Sequence, residues 1–378
     1  MAYYLRADYK LFDKLRLIAA IRGDKYNKPD VTSLTYQFIT SYDINENNVV
    51  RAGYSRANRG SFTADTYANY YWNVVPGYYV MHYEGNQEMK LPVMDNVEIG
   101  YRTRLSKNVM IEIEAFHSKM KDFTFFTPDQ MSLYFNMGPM TRGQAPLEVP
   151  YKIESHGQYQ NLKLESVQNG VTLNVSVVVN TKLNFKVFGT IQNSKLSNFY
   201  DRTIWQDFTY LQNACAAQYM GDILKVMGGD FSPLADTMKM YSVNYKGYKD
   251  SSNVSMTNKA TPAFYGGAMV NYSPTKKLNF NSSFYYYSEQ TFLHNEINDI
   301  GRYSDEYINN QTAYNPSLFK DVYTIKPKVA VNLKVSYKFW KENAVFVNAR
   351  NIFNSNEREF AFLDKVNGLY LAGISFNF

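Results

Sequence analysis

The sequence predicts an all-β chain: part of a transmembrane antiparallel β-barrel, with short periplasmic turns and long extracellular loops. Three observations carry this prediction. Long segments alternate apolar and polar residues with a period of two. Short turns rich in Asn, Pro and Lys alternate with much longer connections. The last predicted strand, Leu369 to Phe378, puts Tyr370, Ala372, Ile374, Phe376 and Phe378 on one face and stops on an aromatic ring. A soluble sheet gains nothing from that ending. A barrel strand does, because its outward face meets lipid and its last aromatic sits at the membrane interface.

The strands follow in order. They are expected near 2–11, 14–27, 32–43, 48–57, 95–105, 108–123, 158–179, 182–197, 262–273, 277–289, 322–339, 344–352 and 368–378. Short turns are expected at 45–48, 107–108, 180–181, 274–276 and 341–343. The alternation is clearest where Val329, Val331, Leu333, Val335, Tyr337 and Phe339 share one face and Ala330, Asn332, Lys334, Ser336 and Lys338 the other. Val171 to Val179 with Leu183, Phe185 and Val187 repeats it, as does Val97, Ile99, Tyr101 with Val109, Ile111 and Ile113. Such runs are too long for a β-sandwich, whose strands average about five or six residues. The long connections are expected at 58–94, 124–157, 198–261, 290–321 and 353–367. Within the third, Leu211, Cys215, Tyr219, Ile223 and Val226 recur at helical spacing and predict a short helix folded over the barrel mouth.

Composition removes other classes. The mean hydropathy is −0.41, and no apolar run reaches the length of a membrane helix. A barrel escapes that test, since lumen-facing polar residues dilute its signal. Aromatic residues make up 16% of the 378 residues, with 34 Tyr and 25 Phe, which suits interface girdles. A net charge of +6 with no basic stripe argues against nucleic acid. The single cysteine, Cys215, excludes an internal disulfide framework and reads as a small packed hydrophobe. The four histidines, His82, His117, His156 and His294, show no metal-ligand spacing. No catalytic constellation and no cofactor motif emerges, so neither an enzyme nor a cofactor is expected. The start, Met1-Ala2-Tyr3-Tyr4, runs straight into a strand without a secretory leader pattern. About thirteen strands is an odd count, which predicts further strands upstream, in a barrel of about 22 whose lumen is plugged.

Four segments resemble the C-terminal barrel of TonB-dependent outer-membrane receptors. They are Val50-Arg51-Ala52-Gly53-Tyr54-Ser55-Arg56-Ala57; Gly85-Asn86 leading to Glu98-Ile99-Gly100-Tyr101; Asn348-Ala349-Arg350-Asn351-Ile352-Phe353-Asn354; and the terminal strand with Gly373, Phe376 and Phe378. The family's Pro-Glu is Pro92-Val93 here, and Leu371 stands where a polar residue is usual. The Tyr- and Asn-rich style resembles receptors of the Bacteroidota. The resemblance implies residues 1–378 as the C-terminal portion of a receptor barrel, with plug domain and N-terminal strands upstream. It implies uptake of a siderophore or haem, cobalamin, glycan or peptide. Implied partners are outer-membrane lipid, the plug, TonB through that plug, and a surface lipoprotein. The alternatives are a structural barrel subunit of a larger complex, or one half of a split receptor. Gly373, Phe376 and Phe378 match the family's barrel-assembly signal.

Three further groups are singled out. Glu98, Arg102, Arg104, Glu112 and Glu114 are expected to face the lumen and pair with each other or with a plug. Tyr70, Tyr71, Trp72, Tyr78, Tyr79 and Trp205 lie in long loops and suit a ligand or partner surface, since each joins an apolar ring to a polar tip. Trp340, beside Phe339 at a short turn, reads as an interface anchor.

Overall fold

The computed structural model describes residues 1–27, 30–60, 62–136, 151–198, 204–229, 238–244, 256–292, 323–353, 357–358 and 365–376. The elements run β1 (Ala2–Leu11), β2 (Leu15–Asn27), β3 (Asp30–Asn45), β4 (Asn48–Asn58), α1 (Thr63–Tyr67), β5 (Asn69–Val75), β6 (Tyr79–Glu84), β7 (Val93–Ser106) and β8 (Val109–Lys121). Then come β9 (Thr124–Asn136), β10 (Lys152–Asn161), β11 (Glu165–Asn180), β12 (Leu183–Ser197), α2 (Ile204–Met227), β13 (Met238–Asn244), β14 (Met256–Asn258), β15 (Phe264–Tyr272) and β16 (Leu278–Tyr287). Last are β17 (Gln290–Phe292), β18 (Tyr323–Ile325), β19 (Lys328–Trp340), β20 (Asn343–Arg350), β21 (Glu357–Arg358), β22 (Lys365–Val366) and β23 (Leu369–Ser375).

One antiparallel sheet dominates. Its order is β1-β2-β3-β4-β7-β8-β11-β12-β15-β16-β19-β20-β23, with β14 paired to β12. The thirteen strands of that path match the number expected. Strands of 13 to 16 residues are common (β2, β3, β7, β8, β11, β12). That exceeds the span of about 9–11 residues that a tilted strand needs to cross a bilayer. The turns between hairpin strands are built by side chains that accept from the backbone two residues on. Asn45 Oδ1 accepts from the Asn47 amide at 3.0 Å, Asn180 Oδ1 from Lys182 at 2.8 Å, and Thr275 Oγ1 from Lys277 at 3.3 Å. Bulges sit beside four of these turns, at 43/45, 104/106, 178/180 and 338/340.

The sheet is inside-out compared with a soluble protein. On the outward face Val97 is 42% exposed, Ile99 59%, Val171 48% and Ile191 69%, while Thr190 and Ser194 on the opposite face are 1% and 5% exposed. Only a lipid solvent makes that pattern favourable, since each apolar chain left in water forfeits roughly 25 cal/mol per Å². The inward face carries glycine–phenylalanine pairs in direct register: Gly170 with Phe116, Gly267 with Phe188, and Gly373 with Phe346. At Gly170 and Gly373 the phenyl ring occupies the space a Cβ would take; at Gly267 the Phe284 carbonyl occupies it, with the Phe188 ring in tight contact beside it.

The long connections are more than loops. They build a second sheet of order β13-β9-β10-β6-β5. Its β6–β10 pairing is parallel, from Tyr79 opposite Ile153 to Glu84 opposite Gln158. A helix stands where a short one is expected, but α2 is 24 residues long, and it packs on β9 and β13. Met131, Leu133, Phe135, Leu211, Cys215, Tyr219 and Ile223 form its core, with Leu211 and Cys215 at 0% exposure. The side chain of Val226 lies outside the description.

Four boundaries differ from expectation. The strand expected over 322–339 is instead β18 and β19, in different sheets. The single strand expected over 158–179 is two strands, β10 and β11, in different sheets, because the chain turns at 162–164. The connections at 58–94, 124–157 and 198–261 hold β5, β6, β9, β10, β13 and α2, because their backbone groups pair across loops rather than within them. The last strand ends at Ser375; Phe376 follows it exposed, and Phe378 lies outside the described residues.

Candidate functional site

Two regions collect chemistry: the inward wall of β1–β8 and the polar face of the surface sheet. On the wall, strand parity turns Lys10, Arg16, Asp43, Arg51, Glu98, Arg102, Glu112 and Glu114 to one side. Arg51 on β4 pairs with Glu114 on β8, and lies 3.8 Å from Glu98 on β7. Arg102 stands directly opposite Glu112. Arg16 holds Asp8 through two hydrogen bonds, Nε at 2.8 Å and Nη2 at 2.6 Å. Below the Arg51 cluster lies a concavity of about 530 Å³ lined by Lys10, Lys14, Arg16, Asp43, Arg51, Arg102 and Glu112 among others. Arg104 sits at the bulge beside the turn, its amide donating to Asn47 O at 2.8 Å. The five charges named from the sequence thus share the inward parity. Arg51, which organises three of the strands, was legible only as part of a motif. Its partners lie 47 and 63 positions away, beyond any local pattern. The side chains of the Arg51 pairs are part-exposed, so each pair contributes about 0–1 kcal/mol and their use lies in presenting charge.

In the surface sheet, parity sorts side chains into two faces. The apolar face carries Tyr70, Trp72, Tyr79, Met81 and Tyr83, running into the α2 core. Tyr70 stacks on Tyr83 at 4.9 Å, and Tyr83 on Phe126 at 4.5 Å. The Tyr79 hydroxyl meets Ser155 Oγ at 3.0 Å, and burial pushes its phenol up to about 12. Tyr70, Tyr71 and Trp72 remain 52%, 69% and 48% exposed, at the edge strand β5. Tyr78 lies in the turn before β6, where its carbonyl accepts from the Ile153 amide at 2.7 Å. Trp205 falls in the first turn of α2, and its side chain lies outside the description. The five loop aromatics whose side chains are described lie along β5–β6.

The polar face holds what sequence reasoning missed. His156 on β10 stands between two carboxylates, Asp129 Oδ1 at 2.5 Å from Nδ1 and Glu84 Oε2 at 2.8 Å from Nε2. The Asp129 hydrogen bond raises its pKa, with Glu84 adding to it against the opposing effect of burial. The ring packs edge-on against His82 at 5.0 Å, and His82 stacks under Tyr71 at 4.4 Å. Beside them Glu154 is held low by Lys152, and by Tyr134, whose hydroxyl donates to it at 2.5 Å. The parallel β6–β10 register brings the two histidines together across 74 positions of sequence, with no signal in the sequence itself. Among the described residues no group of three His, Cys, Asp or Glu side chains is arranged to hold a metal ion.

The chain matches the family profile described as TonB dependent receptor-like, beta-barrel, over residues 1–352. Its fold is similar to the siderophore receptor PirA of Acinetobacter baumannii, at a TM-score of 0.61 and 13% identity, covering 99% of this chain and 45% of that one. It is similar also to the ferric enterobactin receptor PfeA of Pseudomonas aeruginosa in complex with enterobactin, at 0.57 and 12%, covering 97% and 41%. The siderophore receptor PirA of Pseudomonas aeruginosa gives 0.52 and 13%, covering 98% and 47%. The chain therefore spans less than half the length of these receptors. No curated protein matches its sequence.

Proposed function

This chain belongs to the TonB-dependent receptor β-barrel family, and from that premise we propose that it is the C-terminal portion, residues 1–378, of a barrel that imports a nutrient. Barrels of this family sit in the Gram-negative outer membrane, and so does this one; they are transporters and not enzymes. The observation that carries the proposal is the inside-out sheet, with an apolar outer face and an inner wall of charges around Arg51. A lipid-facing barrel with a charged lumen is built to hold polar cargo or a polar plug. Energy comes from TonB through a plug domain carried upstream, with the N-terminal strands that complete a barrel of about 22. Glu98, Arg102, Arg104, Glu112 and Glu114 then line the wall that the plug meets. The Tyr- and Asn-rich style supports a Bacteroidota source.

The cargo is a siderophore or haem, cobalamin, a glycan or a peptide. The receptors similar in fold are named for siderophores, which puts ferric siderophores first in the order of testing. Tyr70, Tyr71 and Trp72 are the contact residues we assign to cargo or to a surface lipoprotein, on their exposure at a sheet edge. Gly373, Phe376 and Phe378 serve barrel assembly. The test is uptake of labelled ferric siderophore, haem, cobalamin, glycan and peptide by cells with and without the receptor. Loss of one uptake on deletion, with the same loss on adding an uncoupler, is the expected result. Unchanged uptake of all five supports the second reading, a structural barrel subunit, which the surface sheet favours as a partner platform.

A further inference from the structure

One edge of the surface sheet is open. Among the described residues β5 pairs with β6 alone and ends the sheet on that side. Register fixes which of its backbone groups are left over. The Gly85 amide donates to the Ala68 carbonyl at 2.7 Å, one step beyond the ladder that runs from Asn69 opposite Glu84 to Asn73 opposite Val80. Hydrogen-bonded and non-bonded pairs alternate along an antiparallel ladder. Tyr70 and Trp72 therefore turn their N–H and C=O groups to β6, while Asn69, Tyr71 and Asn73 turn theirs away. The far side of β6 keeps the same phase: the Tyr78 carbonyl accepts from Ile153 of β10 at 2.7 Å.

Natural edges are blunted by lysine, by proline, by a bulge or by cover. The other edge of this sheet, β13, carries Lys239. Residues 69–73 of β5 hold neither a charge nor a proline, all five are exposed, and the bulge comes only after Asn73. Nor do the rings cover the open side. Tyr70 stacks on Tyr83 at 4.9 Å, Trp72 tilts on Tyr83 at 6.1 Å, and Tyr71 stacks on His82 at 4.4 Å. All three lean back on β6. They hold the strand extended and leave its outer side clear.

We propose that this edge binds a free peptide in extended form, which adds to the five-stranded sheet beside β5. Asn69, Tyr71 and Asn73 give and take its backbone hydrogen bonds. Its side chains fall alternately beside Tyr70 and Trp72 on the apolar face and beside Tyr71 on the polar one. Since 69–73 carry no charge, the segment that fits is uncharged and holds β-branched or aromatic residues. An open ladder reads a peptide backbone, which a glycan does not offer. A free peptide has both edges open, whereas folded partners blunt theirs. A second copy would meet β5 antiparallel only across a two-fold axis normal to the sheet, and two receptors in one membrane meet only across an axis normal to the membrane. A peptide is under no such constraint. This inference rests on the contact role assigned above to Tyr70, Tyr71 and Trp72, and narrows it to one ligand chemistry.

The test uses the intact receptor purified from outer membranes in mild detergent. The probe is a fluorescein-labelled heptapeptide of alternating Thr and Val, with its fully N-methylated form as control. The expected result is binding of the unmethylated peptide alone, read by anisotropy, with slower hydrogen exchange over 69–75 and none of that slowing on the lumen wall. Tyr71→Pro removes a donor that faces away from β6, and should weaken binding about tenfold. Exchange over 79–84 checks that β6 stays folded in this variant. Equal binding of the N-methylated peptide, protection confined to the lumen wall, or Tyr71→Cys receptors that cross-link to one another in the membrane overturns the proposal. Uptake assays run alongside separate it from the import reading. Cargo uptake without peptide binding removes this site and leaves the importer, and peptide binding without uptake of any cargo does the reverse.

Discussion

Gly267 has no room for a methyl group. A Cβ there collides with the Phe284 carbonyl and with the Phe188 ring. Gly267→Ala should cost about 1–3 kcal/mol, because the backbone oxygen cannot swing away. Urea titration of the barrel refolded in lipid measures it, and an unchanged midpoint contradicts the packing. Gly373 gains a second meaning in the same way. Motif resemblance marks it as an assembly signal, whereas Phe346 lying over it gives a packing reason that applies whether or not assembly machinery reads it. Val331 tests the facing itself. It pairs with Phe284 on the outward side, so Val331→Arg should cost about 2–4 kcal/mol if it lies mid-bilayer. The same titration decides this, and a loss near zero would place Val331 at the interface or the lumen.

At the scale of elements, the barrel strands were legible and the surface sheet was not. Val329 to Phe339 declares its two faces through period two alone. By contrast β5 reads Asn-Tyr-Tyr-Trp-Asn-Val-Val and β9 carries Pro128 in mid-strand, so neither alternates cleanly. Their pairing is non-local, and the parallel contact of β6 with β10 has no turn to announce it. The helix α2 was legible because Leu211, Cys215, Tyr219 and Ile223 recur every four residues. Its partner Leu133 was not. Leu211→Ala should cost the packing of α2 on β9 about 2–5 kcal/mol, as Leu211 is fully buried. Limited proteolysis would then cut near 204–227 sooner, while the barrel keeps its heat-modifiable mobility. His156 makes the surface sheet pH-sensitive. Its folded pKa is raised above the ordinary 6.5, so the charged ring binds its proton more tightly folded than unfolded. The stabilisation is therefore whole below about 6.5 and fades as pH rises through the folded value. Hydrogen exchange over 79–84 and 152–161 should show better protection at about pH 5.5 than at about pH 8.5, and His156→Gln should flatten the difference. Equal protection of the wild type at both values would sever His156 from its carboxylates.

Across the whole molecule, the sheet has two ends. Among the described residues β1 pairs with β2 alone and β23 with β20 alone. Open edges do not persist in hydrocarbon, because each unpaired N–H and C=O there costs several kcal/mol. The odd count was legible in the sequence as an arithmetic consequence of its turns. Cysteines placed at Tyr9 and Ala372 should form no disulfide in the assembled receptor, with buried Cys215 silent as background. Efficient cross-linking would mean that these thirteen strands close on themselves.

The surface sheet draws its strands from three connections: β5 and β6 from that between β4 and β7, β9 and β10 from that between β8 and β11, and α2 with β13 from that between β12 and β15. No one of these connections folds by itself. Deleting one strips a hydrogen-bonding edge or a helix from its neighbours, so loop-by-loop deletion is never a local experiment on this receptor. The same coupling restrains change in nature. A phage or antibody that selects against one loop selects against a fabric of three, and escape by altering a single thread exacts its cost in the other two.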